Sequence, residues 1–354
     1  MLLVAPSLDI IGGQAVQANQ LLLGLKTLED IRVSFLPVNP RLPGVLRHLQ
    51  RVKYLRTIVT FPFYLASLVA NVWKADVIHA FSAGYWSFLL APAPAILAAR
   101  FFGKKVLLNY HTGEADDHLG RHRRIALPLI KLAHLIVVPS GYLVGVFFKH
   151  GLTAHAVANF VDPTEIPFRE RTGEGTRFLS NRNFEWHYNV ACLIRAFAEI
   201  QKVIPSATLT LVGDGSCRRG LEALVRELGL KEVEFTGPVH PAAMGPFYDR
   251  ADVYLNSPDV DNMPMSVIEA FAAGLPVVST NAGGIPWILR HDENGLVVPA
   301  NDDKAMATSA LRLCQERGLS QRLTGTARQD VLLKYTWEAV GPDWHRIYDH
   351  LHRG

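Results

Sequence analysis

Apolar runs of about four to eight residues punctuate the whole chain, and nearly every one is followed by a stretch with helical spacing. LLVAP, RVSFLPV, DVIHAF, KVLLNYH, LIVVPS and HAVANFV lie in the first half. RFLSN, ATLTLVG, VEFTG, DVYLNS, PVVST and GLVVP lie in the second. A strand that is apolar on both faces must be covered on both, as in a parallel sheet with crossover helices above and below it. The pattern predicts an α/β chain with two parallel sheets. A length of 354 residues agrees with two domains at roughly 150 residues each. The polar, glycine-containing segment Phe168–Thr176 is where the pattern pauses, and it reads as the linker. The expected division is therefore 1–168 and 169–335, each Rossmann-like and facing the other, with a closing helix over 336–354.

Composition narrows the function classes. Apolar residues make up 49% of the chain, enough for a core in each half, and charged residues only 19%. A net charge of +4 suits an anionic small ligand or an anionic membrane surface and is too weak to indicate nucleic acid. The three cysteines, Cys192, Cys217 and Cys314, are far apart and lack metal-ligand spacing, so they read as free thiols of a reducing compartment. The N-terminal MLLVAPSL has no basic flank and does not read as a secretory signal. Thr57–Trp73 carries no charge but contains Pro62 and is short for a span of ~20 residues. Val77–Ala99 also lacks charge, yet Gly84, Pro92 and Pro94 break it into strand, loop and helix. The segment Arg41–Arg56 holds five Arg and Lys and no acid among Leu, Val and Tyr. It reads as an amphipathic helix, either solvated or lying on a membrane surface, where RHRR at 121–124 would reinforce it.

The stretch DVDNMPMSVIEAFAAGLPVVSTNAGGIPWI, residues 259–288, carries the chemistry. Pro264 precedes a helical pattern, so the amides of Met265 and Ser266 fall at a helix N-terminus, which attracts anions. Glu269 lies about one turn in, where a carboxylate can accept hydrogen bonds from two ribose hydroxyls; its plainer reading is an acid favoured in a first turn. Asn281–Pro286 follows a strand, opens a further helix in the pattern, and has glycines that permit close backbone approach. Gly12-Gly13 follows the first strand as a turn, His111 ends the run KVLLNYH, and Gly213 belongs to LVGDGS.

In this order the motifs resemble the donor site of the retaining glycosyltransferases of family 4, a two-domain GT-B family. Its two acids are separated by seven residues and followed by a helix, Gly-x-Pro-Val and a Gly-Gly-x-Pro loop. Here these are Asp261, Glu269 and Thr280–Pro286. The resemblance implies a cleft between the two Rossmann-like domains and a nucleotide-sugar donor, UDP- or GDP-linked. It implies transfer of a hexose, with retention, to a glycan, lipid-linked or small-molecule acceptor. No cofactor or metal is required. By the same resemblance Glu269 binds the ribose, Asp261 faces the hexose, and Met265, Ser266, Arg182 and Gly12-Gly13 hold the diphosphate. His111 stands near the donor sugar, Gly213 near the base, and His79 is structural. Asn159-Phe-Val-Asp162 matches the interdomain turn, and YTWEAVGPDWHRIYDHL the helix that returns to the first domain. The implied setting is the cytoplasm, at the inner face of a membrane by way of Arg41–Arg56.

The chain departs from the family pattern in three places. His187 stands where a phosphate-binding Lys is usual, Asp261 is one methylene shorter than the usual Glu, and Trp287 follows the Gly-Gly-Ile-Pro loop. An imidazole is a poorer phosphate partner than an ammonium. Two other readings follow: a non-catalytic nucleotide-sugar binder or scaffold, and a nucleotide-sugar epimerase on the same fold. A phosphorylase would need a lysine motif for pyridoxal phosphate, and none is seen. Asp259-Val-Asp261 has the form of the metal-binding Asp-x-Asp of single-domain GT-A enzymes, against which the two-domain pattern argues.

Overall fold

The computed structural model describes every residue except 9–11, 43, 45, 51, 53, 54, 172, 174 and 354; at 46 and 47 it describes the backbone alone. The chain forms two compact units. One comprises Met1–Val157 with Val340–Gly354, the other Ala158–Ala339.

The first unit holds β1 (Leu2–Ala5), β2 (Ser34–Pro37), β3 (Val77–Ser82), β4 (Lys105–Tyr110), β5 (Leu135–Val138) and β6 (His155–Ala156). They form one parallel sheet in the order β2-β1-β3-β4-β5-β6. The interior strand β3 is buried at all six positions, whereas β6, at the edge, is exposed. The core packs Leu2 and Val4 of β1, Ile78 and Ala80 of β3, and Val106 and Leu108 of β4 against Tyr64, Leu68 and Ile96 from helices.

The second unit holds β7 (Arg177–Ser180), β8 (Thr208–Val212), β9 (Val233–Gly237), β10 (Val253–Asn256), β11 (Val277–Thr280) and β12 (Leu296–Val298). Its parallel order is β12-β11-β10-β7-β8-β9. Numbered within the unit, that is the doubly wound order 3-2-1-4-5-6, whose crossovers change direction between the first and fourth strands. In this unit those strands are β7 and β10. In the first unit the change falls between β1 and β3. A ligand of such a sheet binds outside the carboxyl ends of the strands at this point. The fold therefore singles out the loops after β7 and β10, and those after β1 and β3.

Several expectations are corrected in detail. Phe168–Thr176 is not a free linker in its described part. Arg169 donates to Asp252 at 3.0 Å, and the buried Arg171 guanidinium donates to the carbonyls of Tyr248, Asp249, Ala251 and Ala273. A charged strap is thus fastened to the second unit, because each Arg finds carbonyls left over at helix ends. Within Arg41–Arg56 the described helical residues are Leu46–Leu49 and the first two of the helix Leu55–Val72; Arg51 and Lys53 lie outside the described residues. Thr57–Trp73 falls almost wholly in a helix, Leu55–Val72, that tolerates Pro62 inside it. Val77–Ala99 is β3 followed by the helices Tyr85–Leu90 and Pro92–Phe101. The loop Asn281–Pro286 opens one 3-10 turn, Ile285–Trp287, and no longer helix. The next helix waits for Asp302, whose carboxylate accepts from Ala305 N at 2.8 Å.

Candidate active site

In the second unit the carboxyl ends of β7 and β10 bring one cation and two acids close together. Arg182 lies two residues past β7. Its Nη2 donates to Asp261 Oδ2 at 2.5 Å and its Nη1 to the Ser266 hydroxyl at 3.1 Å, and its guanidinium lies 4.0 Å from the Tyr188 ring centroid. Arg182 is buried, and its Nε has no hydrogen-bond partner among the described residues. Burial works most strongly against the charge on Arg182, but Asp261 together with Tyr188, Tyr254 and Tyr248 more than reverses this, and the guanidinium pKa is raised.

Asp261 sits in a loop fixed along its length. The His187 carbonyl accepts from the amides of Asp259 and Val260 at 2.9 and 3.3 Å, and Gly284 N donates to the Asp261 carbonyl at 3.2 Å. Asp261 Oδ1 accepts from the Asn262 amide at 2.8 Å. Asp259 turns to a different partner, with Oδ1 accepting from Asn189 Nδ2 at 3.1 Å. Among the described residues no group of His, Cys, Asp and Glu is arranged to hold a metal ion.

The helix Met265–Ala272 begins directly after Pro264, whose fixed φ suits the entry, and carries no side-chain cap. Its start is pinned from a distance: Asn159 Nδ2 donates to the Met263 carbonyl at 2.9 Å, while Val161 N donates to Tyr335 O at 2.9 Å. Ser266 is buried, and Glu269, the fifth helical residue, is half-buried. Tyr248 donates its hydroxyl to Glu269 Oε2 at 2.5 Å and accepts from Asn181 Nδ2 at 2.7 Å; Tyr254 donates to Asn181 Oδ1 at 2.7 Å. Burial raises the pKa of Glu269, and the Tyr248 hydrogen bond and the Arg182 charge offset only part of that. One carboxylate oxygen is therefore oriented by a tyrosine relay while the other has no partner of that kind. The arrangement can grip hydroxyls with Glu269 and an oxyanion with Arg182 beside a helix N-terminus.

The glycines have local reasons. Gly213 has φ +146°, and a Cβ there would stand 2.5 Å from the Arg182 carbonyl. It lets the turn after β8 press against the loop that carries Arg182. His187, in the 3-10 turn Trp186–Tyr188, packs its ring 4.2 Å from that of Tyr188. At Gly284 a Cβ would meet Asn262 O at 2.3 Å, so the close approach is to the Asp261–Asn262 loop. Its φ of −89° is open to any residue, which makes the contact purely steric. We expect Gly284→Ala to lose about 1–3 kcal/mol from overpacking and to displace Asp261. A lower melting temperature with weakened nucleotide binding is the check.

In the first unit, Gly12 stands at the start of the helix Gly13–Leu25, and its carbonyl accepts from Ala15 and Val16 at 3.0 and 3.1 Å. A Cβ on Gly12 or Gly13 would meet nothing within 4 Å, so packing does not demand glycine at either place. His111 follows β4, with its amide donating to Ser82 O at 3.0 Å. Its ring stacks on Phe81 at 5.0 Å, and Phe81 stacks on His79 at 5.2 Å. Burial lowers the pKa of His111 to about 4 and that of His79 to about 3, so both imidazoles are neutral near pH 7. His79 Nδ1 shares a 2.7 Å hydrogen bond with the Tyr348 hydroxyl and serves packing. The buried Nε2 of His111 has no hydrogen-bond partner among the described residues.

The sequence reading missed Tyr248, Asn181, Tyr254, Tyr188 and the pinning role of Asn159. Two signals were available: Asn181 directly follows an apolar strand, and Tyr254 interrupts one.

Comparison with known proteins bears on the fold and the reaction class. The family model "Glycosyl transferases group 1" matches residues 177–316. The chain is 24% identical over 298 residues to the glycogen synthase of Mycobacterium tuberculosis, covering 80% of this chain and 70% of that one. It is 26% identical over 291 residues to the sulfoquinovosyl transferase SQD2 of Arabidopsis thaliana, covering 76% and 55%. Among solved structures, Anabaena HepE in complex with UDP and glucose aligns with a TM-score of 0.78 at 17% identity over 98% of each chain. The sucrose-phosphate synthase of Thermosynechococcus elongatus aligns at 0.80 and 18%, over 99% of this chain and 98% of that one. The chain is thus a glycosyltransferase of GT-B fold, and its residues 177–316 match the model of the group 1 glycosyl transferases.

Proposed function

We propose that the second unit binds a UDP- or GDP-linked hexose and that the enzyme transfers the hexose with retention, as members of family 4 do. The observation that carries this is the grouping of Arg182, Asp261 and Ser266 at the uncapped start of the helix that bears Glu269. A departing nucleoside diphosphate gains charge as the glycosidic bond breaks, and a buried guanidinium beside a helix N-terminus stabilises it. Glu269 takes the ribose hydroxyls and Asp261 faces the hexose. His187 lies next to this group through Tyr188 and is a secondary phosphate contact. Gly213 shapes the base end. Gly12, Gly13 and His111 are assigned to the donor by family resemblance; the glycines' freedom from packing demands and the unpartnered His111 Nε2 support that assignment. The acceptor is a glycan, lipid-linked or small-molecule hydroxyl, met by the first unit, in a cytoplasmic setting.

A thermal-shift panel of UDP-, GDP- and ADP-sugars tests the donor. A ligand at 100 times its Kd stabilises by about 2.7 kcal/mol, so one series is expected to raise the melting temperature by several degrees. The anomeric configuration of the product, read by NMR, tests retention. No shift with any sugar nucleotide would remove the donor reading; binding without turnover on any acceptor would favour a scaffold.

A further inference from the structure

The helix Leu55–Val72 has two unlike faces. Thr60, Tyr64, Leu68 and Val72, spaced by four, are buried in the first unit, and the Tyr64 hydroxyl donates to the Ala91 carbonyl at 2.7 Å. The opposite face is also apolar. Ile58 is 68% exposed, Val69 50% and, one residue past the helix, Trp73 58%; Pro62, Ala66 and Ala70 are exposed between them. A helix on the surface of a water-soluble domain normally turns charged residues outward. This one carries no Asp, Glu or Lys, and its one Arg, Arg56, sits in the first turn. Lys74 follows its end, with Nζ 5.5 Å from the Trp73 ring centroid.

The surrounding charge points to what covers this face. From Ile31 to Ala75 the sequence contains seven Arg and Lys and no Asp or Glu. An apolar strip bounded by cations, with an aromatic residue at its rim, complements an anionic lipid surface, where lysine and arginine meet headgroups and tryptophan sits at the boundary. The helix is long and apolar enough to cross a membrane by length and composition. Crossing would pull Tyr64 and Leu68 out of the core, so the packing seen here is incompatible with a spanning helix.

We propose that the outer face of Leu55–Val72, with Trp73, is the surface by which the first unit docks on an anionic bilayer. The sequence expectation placed membrane contact in the basic segment Arg41–Arg56; the structure adds an apolar insert, for which the basic segment supplies attraction. The proposal stands on the first unit alone and is independent of the donor reading.

The test is sedimentation of the whole chain with vesicles of phosphatidylcholine, alone or with 30 mol% phosphatidylglycerol (~0.1 M salt, about one Debye length of 10 Å). The wild type is expected to pellet with the anionic vesicles and to bind the neutral ones at least tenfold more weakly. Ile58→Glu and Val69→Glu, at positions at least half exposed, are expected to keep the circular dichroism and melting temperature and to lose vesicle binding tenfold or more. Wild-type protein that stays in the supernatant, or glutamate variants that bind as well as wild type, would overturn the proposal. So would a dimer that Val69→Glu dissociates without any vesicle binding, since a second copy would then be the occupant.

Discussion

Replacing Glu269 by alanine is expected to lower kcat/KM by about 10²–10⁴. Two hydrogen bonds to a charged group, at about 1.5–3 kcal/mol each, would be lost from the donor ribose. The chain should remain folded, although the Tyr248 hydroxyl loses its acceptor, at a cost of about 1–3 kcal/mol. Glu269→Gln separates the two effects. A glutamine oxygen can still accept from Tyr248, so the relay through Asn181 to Tyr254 survives. The sign of the pKa shift sharpens this expectation. Because burial raises the folded-state pKa of Glu269, its contribution to stability is greatest below its unfolded pKa and is lost as pH rises through the folded value. At neutral pH the ionised carboxylate works against the fold, so Glu269→Gln should be neutral or stabilising there while most of the transfer disappears. In the wild type the acid limb of the kcat/KM profile should lie above the ordinary range of a glutamate. Steady-state kinetics with a matched thermal melt reads all three. Full activity in the alanine variant would remove Glu269 from the site.

The second large effect concerns Arg182. Arg182→Ala leaves Asp261 without its cation in a largely buried setting, which costs about 3–5 kcal/mol, and also removes the charge proposed to meet the diphosphate. Asp261→Asn alone leaves a buried guanidinium half-satisfied. The double variant Arg182→Ala, Asp261→Asn removes both charges at once, and its stability should recover much of the loss, because a buried pair contributes little net stability over a neutral replacement. Activity should not recover. Melting temperatures and initial rates of the four proteins form the cycle. A double variant no more stable than Arg182→Ala would mean that the ion pair is not the interaction at stake.

How much of this was readable beforehand follows from the reach of each signal. The strands were legible because buried parallel strands are written as uninterrupted apolar runs: DVIHAF gave β3 and DVYLNS gave β10. The helix before Gly274 was legible because that glycine stops it, and it has φ +72°. The residues between 259 and 288 were named because they lie in one ordered stretch. What escaped reading is the work of residues far apart in sequence. Asn181 and Tyr248 meet only when β7 and β10 pair, and Asn159 meets Met263 only after the sheet is built. The strap over Phe168–Thr176 was misjudged for the same reason. Arginines beside glycines look solvated until carbonyls from distant helix ends converge on them. The basic segment was read from composition alone, which reports charge but not the apolar helix that follows it.

Tyr348 follows the whole second unit in sequence, yet its hydroxyl reaches His79 in the middle of the first sheet, with Trp344 against the same ring. During synthesis that imidazole must wait until the second unit has been made. Until then the N-terminal portion carries an unfinished wall, open to chaperones and proteases. Completion of the first unit is thereby tied to arrival of a segment made after the second, so a product truncated near residue 340 would leave it unfinished.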